Sequence, residues 1–190
     1  MPNSTQGDNI MNAIFNKNSS SKKYQWKNLG NISIGRPDLG DTVPVAIYRQ
    51  LEFSLIEVLT RRYGSKEAND IFREAGFIAG VEFARFHLNT QASFDEYIGE
   101  LYEVLYKLKI GILKLEHVDS DFKEIIVSIA DDLDCSGLPP TNEMVCDYDE
   151  GFLAGVLKVY TGEDYTVTEI NCWANGDRIC RFRCIKDQNK

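Results

Sequence analysis

The sequence predicts an α+β domain, an antiparallel sheet of about four strands with helices packed on it. Three observations lead there. From Val43 to Leu108, apolar residues recur at three- and four-residue steps, as on one side of helices. From Ile110 to Ala130 the period changes to two short strand-like runs joined at Asp119-Ser120-Asp121. A further helical run from Asp147 and two more strand-like segments complete the pattern. Helices, two strands, a helix and two strands suit an antiparallel sheet better than repeating βα units.

The 190 residues fit one domain with a substantial core. Residues 24–187 are expected to form that domain, and residues 1–23, rich in Asn and Ser, a tail with a short helix at Ile10–Phe15. No apolar run approaches the ~18 residues that span a bilayer. The N-terminal stretch has neither a basic nor a sustained apolar region, so no signal peptide and no membrane span are expected. A formal charge of −8 argues against non-specific nucleic-acid binding. The five cysteines, an odd number without an export signal, point to the reducing cytoplasm. There, clustered cysteines serve more often as metal ligands, catalytic thiols or core residues than as disulfides.

Tyr24 to Asp41 is irregular and reads as a short strand and an arm that packs on a partner. Val43 to Arg62 reads as a helix with Tyr48, Leu51, Leu55, Val58 and Leu59 on its apolar side, stopped by Gly64. Arg49 within it is expected to face solvent. Ser65 is expected to cap the next helix, which reaches His87 and holds Gly76 and Gly80. A mid-helix glycine costs roughly 1 kcal/mol relative to alanine, so the pair implies close approach of another helix, ahead of contact with a ligand. Ser93 with Glu96 makes a capping box for a third helix through Leu108. Ile110–His117 and Glu124–Ala130 read as strands, followed by an acidic, kinked loop. Asp147–Tyr160 reads as a helix, and Tyr165–Asn171 and Ile179–Ile185 as a hairpin signalled by Asn175-Gly176.

Four of the five cysteines fall between Met144 and Ile185, and Cys146, Glu169, Cys172 and Cys180 read as a closed metal site. A hairpin lets Cys172 and Cys180 face each other, and Cys146 lies just before a helix. Thiolate and carboxylate ligands in a tetrahedron suit zinc, and four protein ligands leave no position for a catalytic water. Glu169 and Cys172 are three residues apart, however, and on a regular strand they point to opposite faces. Either the strand bulges or ends near Asn171, or Glu169 is not a ligand and Cys135 is the leading substitute. Cys184 fits a core role. Buried free thiols, a Cys172–Cys180 disulfide, and a nucleophilic cysteine served by His87 or His117 are the other readings of the same residues.

The segment from about Val45 to Ile185 resembles the 4-vinyl reductase (4VR) domain family. The resemblance is carried by Gly76-x-x-x-Gly80, by Cys146 followed by Gly151 to Gly155, and by the run from Glu169 to Phe182 with Cys172, Asn175-Gly176 and Cys180. It implies a fold similar to the ligand-binding domains of nitric-oxide signalling and of TRAPP vesicle-tethering subunits. Members include sensory domains of bacterial regulators that bind small aromatic hydrocarbons, with zinc held by Cys, Glu, Cys and Cys in that order. Cys146, Glu169, Cys172 and Cys180 match that order.

The resemblance thus implies a non-catalytic sensor for a small hydrophobic, aromatic or hydrocarbon ligand, with a structural zinc. Phe72, Gly76, Gly80, Phe83, Phe86 and His87 are the candidate pocket residues, apolar with one polar handle. No ATPase or DNA-binding segment accompanies them, so a separate signalling partner is expected. A homodimer through the first helices is expected as well. The alternatives are a reductase-type enzyme or accessory factor in tetrapyrrole metabolism, for which no dinucleotide fingerprint or P-loop is visible, and a structural assembly subunit.

Overall fold

The strand-forming segments alternate so that one face is apolar, and this face organises the chain. The computed structural model describes residues 23–188; the expected helix at Ile10–Phe15 lies outside them. A 3-10 turn at Trp26–Leu29 leads to helices α1 (Ile32–Gly35), α2 (Val45–Tyr63), α3 (Ser65–His87) and α4 (Phe94–Lys107). Strands β1 (Ile112–Val118) and β2 (Glu124–Ala130) follow, then α5 (Asp147–Thr161), β3 (Tyr165–Asn171), a 3-10 turn at Trp173–Asn175, and β4 (Cys180–Lys186). The four strands pair antiparallel in the order β1-β2-β4-β3. The α+β expectation is met.

Ile125, Val127 and Ile129 of β2 and Phe182 and Cys184 of β4 are buried on one face of the sheet. Against them lie Tyr97, Leu101 and Leu105 of α4 and Leu153, Val156 and Leu157 of α5, all within one cluster. Burying each large side chain is worth roughly 1.5–3 kcal/mol. Tyr97 satisfies its buried hydroxyl by donating to the Val156 carbonyl at 2.8 Å. The capping box at α4 forms as read: the Ser93 hydroxyl accepts from the Glu96 amide, and the Glu96 carboxylate accepts from the Ser93 amide at 2.9 Å.

Helices α3 and α5 touch backbone to backbone. A Cβ at Gly76 or Gly80 would overlap the carbonyl of Tyr148 or Phe152. A Cβ at Gly151 or Gly155 would overlap the carbonyl of Arg73 or Phe77. The four glycines therefore serve helix packing. At the same crossing Arg73 reaches over to α5, its Nε 2.5 Å from the Glu150 carboxylate and its guanidinium also paired with Asp147.

Five local expectations are corrected. Residues 24–41 hold a 3-10 turn and a short helix, not a strand, because Gly30 takes φ 75° and the Asn31 side chain caps α1 at the Ile34 amide. Ser65 is the first residue of α3 rather than its cap, since Gly64, at φ 87°, ends α2 and starts α3. Strand β1 starts at Ile112 because the Ile110 amide closes the end of α4 on the Leu105 carbonyl. Between β3 and β4, only Gly176 (φ 98°) takes positive φ, so the link is a 3-10 turn and not a two-residue Asn-Gly hairpin. On α2, Leu51 (69% exposed) and Leu55 face away from the core, while Glu52 is buried. The side of α2 that meets the protein is the polar one.

Candidate metal centre and adjoining cavity

Four cysteines converge where strand ends, a helix start and a loop meet. Cys135 lies in the loop after β2, Cys146 directly before α5, Cys172 directly after β3, and Cys180 opens β4. All four are buried, and none is in a disulfide. Their sulfurs lie within 4.8 Å of one another. Cys146 is 3.9 Å from Cys172 and 3.8 Å from Cys180. Zinc–sulfur bonds of about 2.3 Å in a tetrahedron set the sulfurs about 3.8 Å apart, so these separations suit a four-thiolate metal site. Cys135 and Cys180, at 3.0 Å, are closer than that edge and well outside a disulfide bond of about 2.04 Å.

The expected set named Glu169 with Cys146, Cys172 and Cys180. The pairing of β3 with β4 slips between Glu169 and Asn171, so the strand does bulge where that set required it. Glu169 is buried beside the sulfurs, but it is not a member of the four-atom group, and Cys135 is. Its Oε2 accepts from the Cys146 amide at 3.2 Å, while Oε1 has no partner among the described residues. Burial, ahead of other influences, pushes its carboxyl up to about 8. Contacts among the thiols, led by that with Cys135, draw Cys172 toward the thiolate and hold Cys146 and Cys180 toward the thiol. Cys184 stays apart, its thiol pushed up to about 12 by burial in the core.

The loop that delivers Cys135 is fixed from a distance. Arg49, expected to face solvent, donates its Nε to the Leu133 carbonyl and its Nη2 to the Ser136 carbonyl, both at 2.8 Å. Tyr48 donates its hydroxyl to Asp134 Oδ1 at 2.8 Å. Inside the loop, Asp132 Oδ1 accepts from the Asp134 amide at 2.8 Å. Opposite, Trp173 donates its indole N–H to the Leu138 carbonyl, and the Asp177 carboxylate accepts from the Cys172 amide. The only sequence signals for Arg49 were its place in an apolar helix and a loop of carbonyls and acids with no basic residue.

A cavity of about 190 Å³ adjoins the loop. Trp26, Tyr48, Phe83, Tyr148 and Phe152 give it aromatic walls, and Asp134 and Asp149 give it acid. Of the six expected pocket residues, only Phe83 lines it. Gly76 and Gly80 are occupied with α5, Phe72 is a core side chain, and Phe86 is 61% exposed. His87 packs behind Phe83, with ring centres 4.8 Å apart and Trp26 on its edge, and burial lowers its pKa. A wider groove of about 560 Å³ runs between α3 and the end of α5, but none of its lining residues is buried and its rim is charged.

The segment from β2 to β4, with all four clustered cysteines, is also the part that matches a known family. Residues 125–186 match the vinyl-4-reductase (4VR) domain. The resemblance expected from the sequence is therefore found where the cysteines are. Two uncharacterized proteins of Methanocaldococcus jannaschii are similar over more of the chain. One is 26% identical over 152 residues, 80% of each chain; the other is 29% identical over 153 residues, 80% of this chain and 84% of that one.

Three solved structures share the fold. A vinyl-4-reductase family protein from M. jannaschii has a TM-score of 0.56 at 16% identity, covering 78% of this chain and 85% of that one. The phenol-responsive sensory domain of the transcription activator PoxR, with phenol, has a TM-score of 0.57 at 17% identity, covering 77% and 76%. A trafficking protein particle complex subunit 3 from Naegleria fowleri, covalently bound to palmitic acid, has a TM-score of 0.60 at 14% identity, covering 76% and 95%. Among the described residues no helix is long and apolar enough to cross a membrane.

Proposed function

We propose that this chain is a non-catalytic sensor or carrier domain for a small, largely apolar molecule, built around a structural zinc ion. The observation that carries the reading is the aromatic-walled cavity beside the buried four-sulfur cluster. Cys135, Cys146, Cys172 and Cys180 are the proposed zinc ligands, with Glu169 steadying the Cys146 amide. A zinc ion bound there would join the loop after β2, the start of α5 and the facing ends of β3 and β4. Four thiolates fill its tetrahedron, so its contribution is folding energy and not water activation. The match to the vinyl-4-reductase domain and the likeness in fold to a phenol-responsive sensory domain support the same reading.

The chain is proposed to work in the cytoplasm as a homodimer that passes its state to a separate signalling partner. The apolar side of α2, with Leu51 69% and Ile47 53% exposed, supports pairing. The same surface favours a second reading, an assembly subunit that binds another protein and no small molecule. Native mass spectrometry of freshly purified protein tests all of this. One zinc per chain, two chains per particle and a retained small molecule are expected. A ligand-free, metal-free particle would refute the sensor.

A further inference from the structure

We propose that the ligand taken by the cavity carries a protonated amine on a small aromatic or apolar body; this rests on the sensor reading above. The argument starts from oxygens that lack donors. Asp134 lines the cavity and is 4% exposed. Its Oδ1 accepts from Tyr48, but its Oδ2 has no partner among the described residues. Asp132 Oδ2 and Glu52 Oε2, in the same cluster, are also buried without partners. Asp149, 8% exposed, is the second carboxyl on the cavity wall. Buried polar oxygens are nearly always satisfied, and a charged one left alone is costly.

The chain brings one cation to this place, and it is engaged elsewhere. The N–H groups of Arg49 go to the backbone carbonyls of Leu133, Ser136 and Asp132, where they hold the loop, and not to the carboxylates. Four carboxyls thus gather around a cavity to which the described residues supply no free donor. A hydrocarbon would leave every one of these oxygens as it is. An ammonium group supplies three donors and a positive charge. The walls of Trp26, Tyr48 and Tyr148 are suited to it as well, since aromatic faces attract cations. The volume, about 190 Å³, equals about six waters at ~30 Å³ each and fits a single ring with a short arm.

Two other arrangements would satisfy the same oxygens. The carboxyls could share protons among themselves, or Asp132, Asp149 and Cys146, whose ligand atoms lie within 4.8 Å of one another, could hold a second metal ion.

Titration calorimetry on the full chain, with zinc content recorded, separates these outcomes using benzylamine, benzyl alcohol and toluene as probes. Benzylamine is expected to bind at least tenfold more tightly than benzyl alcohol. Asp134→Asn and, independently, Asp149→Asn are expected to remove most of that preference without changing zinc content. Toluene or benzyl alcohol binding as well as benzylamine would overturn the amine assignment and leave the sensor reading standing. Binding of none of the three would overturn the amine assignment and remove the cavity's support for the sensor. A preference that survives unchanged in both variants, or a second metal ion per chain in native mass spectra, would also overturn it.

Discussion

The sulfurs of Cys135 and Cys180 stand 3.0 Å apart, although 45 residues separate them in the chain. One comes from a loop and the other from the first position of β4, so a metal held between them fixes tertiary structure. Cys135→Ser and Cys172→Ser are each expected to lower zinc content and stability together. A loss of roughly 3 kcal/mol would shift the melting temperature by about 6–12 °C at this size. Glu169→Gln is expected to keep the zinc. Elemental analysis of the three variants checks the ligand set, and full zinc in Cys135→Ser would contradict it.

The α3–α5 crossing gives a paired test of close approach. Gly155→Ala puts a methyl into the Phe77 carbonyl and the Val81 amide, and is expected to cost about 2–3 kcal/mol. Gly99→Ala, on α4 with nothing within 4 Å of the new carbon, is expected to stabilise by about 0.5–1 kcal/mol. Urea denaturation of both variants reads the contrast directly.

Glu52 makes stability depend on pH. Burial first, then Asp134, raises its carboxyl from 4.5 to about 8 in the folded protein, so the folded state binds the extra proton between those values. Its contribution is therefore full below about pH 4.5 and is lost as pH rises toward 8. Glu52→Gln is expected to flatten the fall between pH 5 and 8 and to raise stability at pH 8 by about 1 kcal/mol or more. Thermal unfolding across that range measures both. An unchanged slope would mean that other groups carry the dependence.

Pairing through α2 is equally open to measurement. Leu51→Asp alters a side chain that is 69% exposed within one chain, so it is expected to leave the single-chain fold intact while halving the particle mass. Light scattering at micromolar concentration supplies the value. A wild-type monomer would remove the dimer.

Much of the fold was legible because its signals are local. Strands Glu124–Ala130 and Tyr165–Asn171 fall at the bounds their alternation marks, and the Ser93–Glu96 box starts its helix. The glycine pair on α3 reads correctly as a helix crossing, although periodicity alone does not name α5 as its partner. At the cysteine cluster, spacing on one strand cast doubt on Glu169, and Cys135 was legible only as a substitute. The approach of Cys135 depends on the path of the 131–136 loop, which Arg49 fixes from more than 80 residues away. The cavity was misplaced for a related reason. Its walls come from a 3-10 turn, three helices and a loop, while the expected residues were all drawn from one helix. Likewise, apolar spacing on α2 marks a helix but does not say whether the same chain covers it.

With no side chains cushioning the place where α3 and α5 meet, those two helices behave as one beam. They cannot slide or rotate past each other without carbonyl striking carbonyl. Any message sent when the hollow fills must therefore travel through the lighter pieces around that beam, the Trp26 turn and the outer helix gripped by Tyr48 and Arg49. These are the parts whose motion a neighbouring protein would feel.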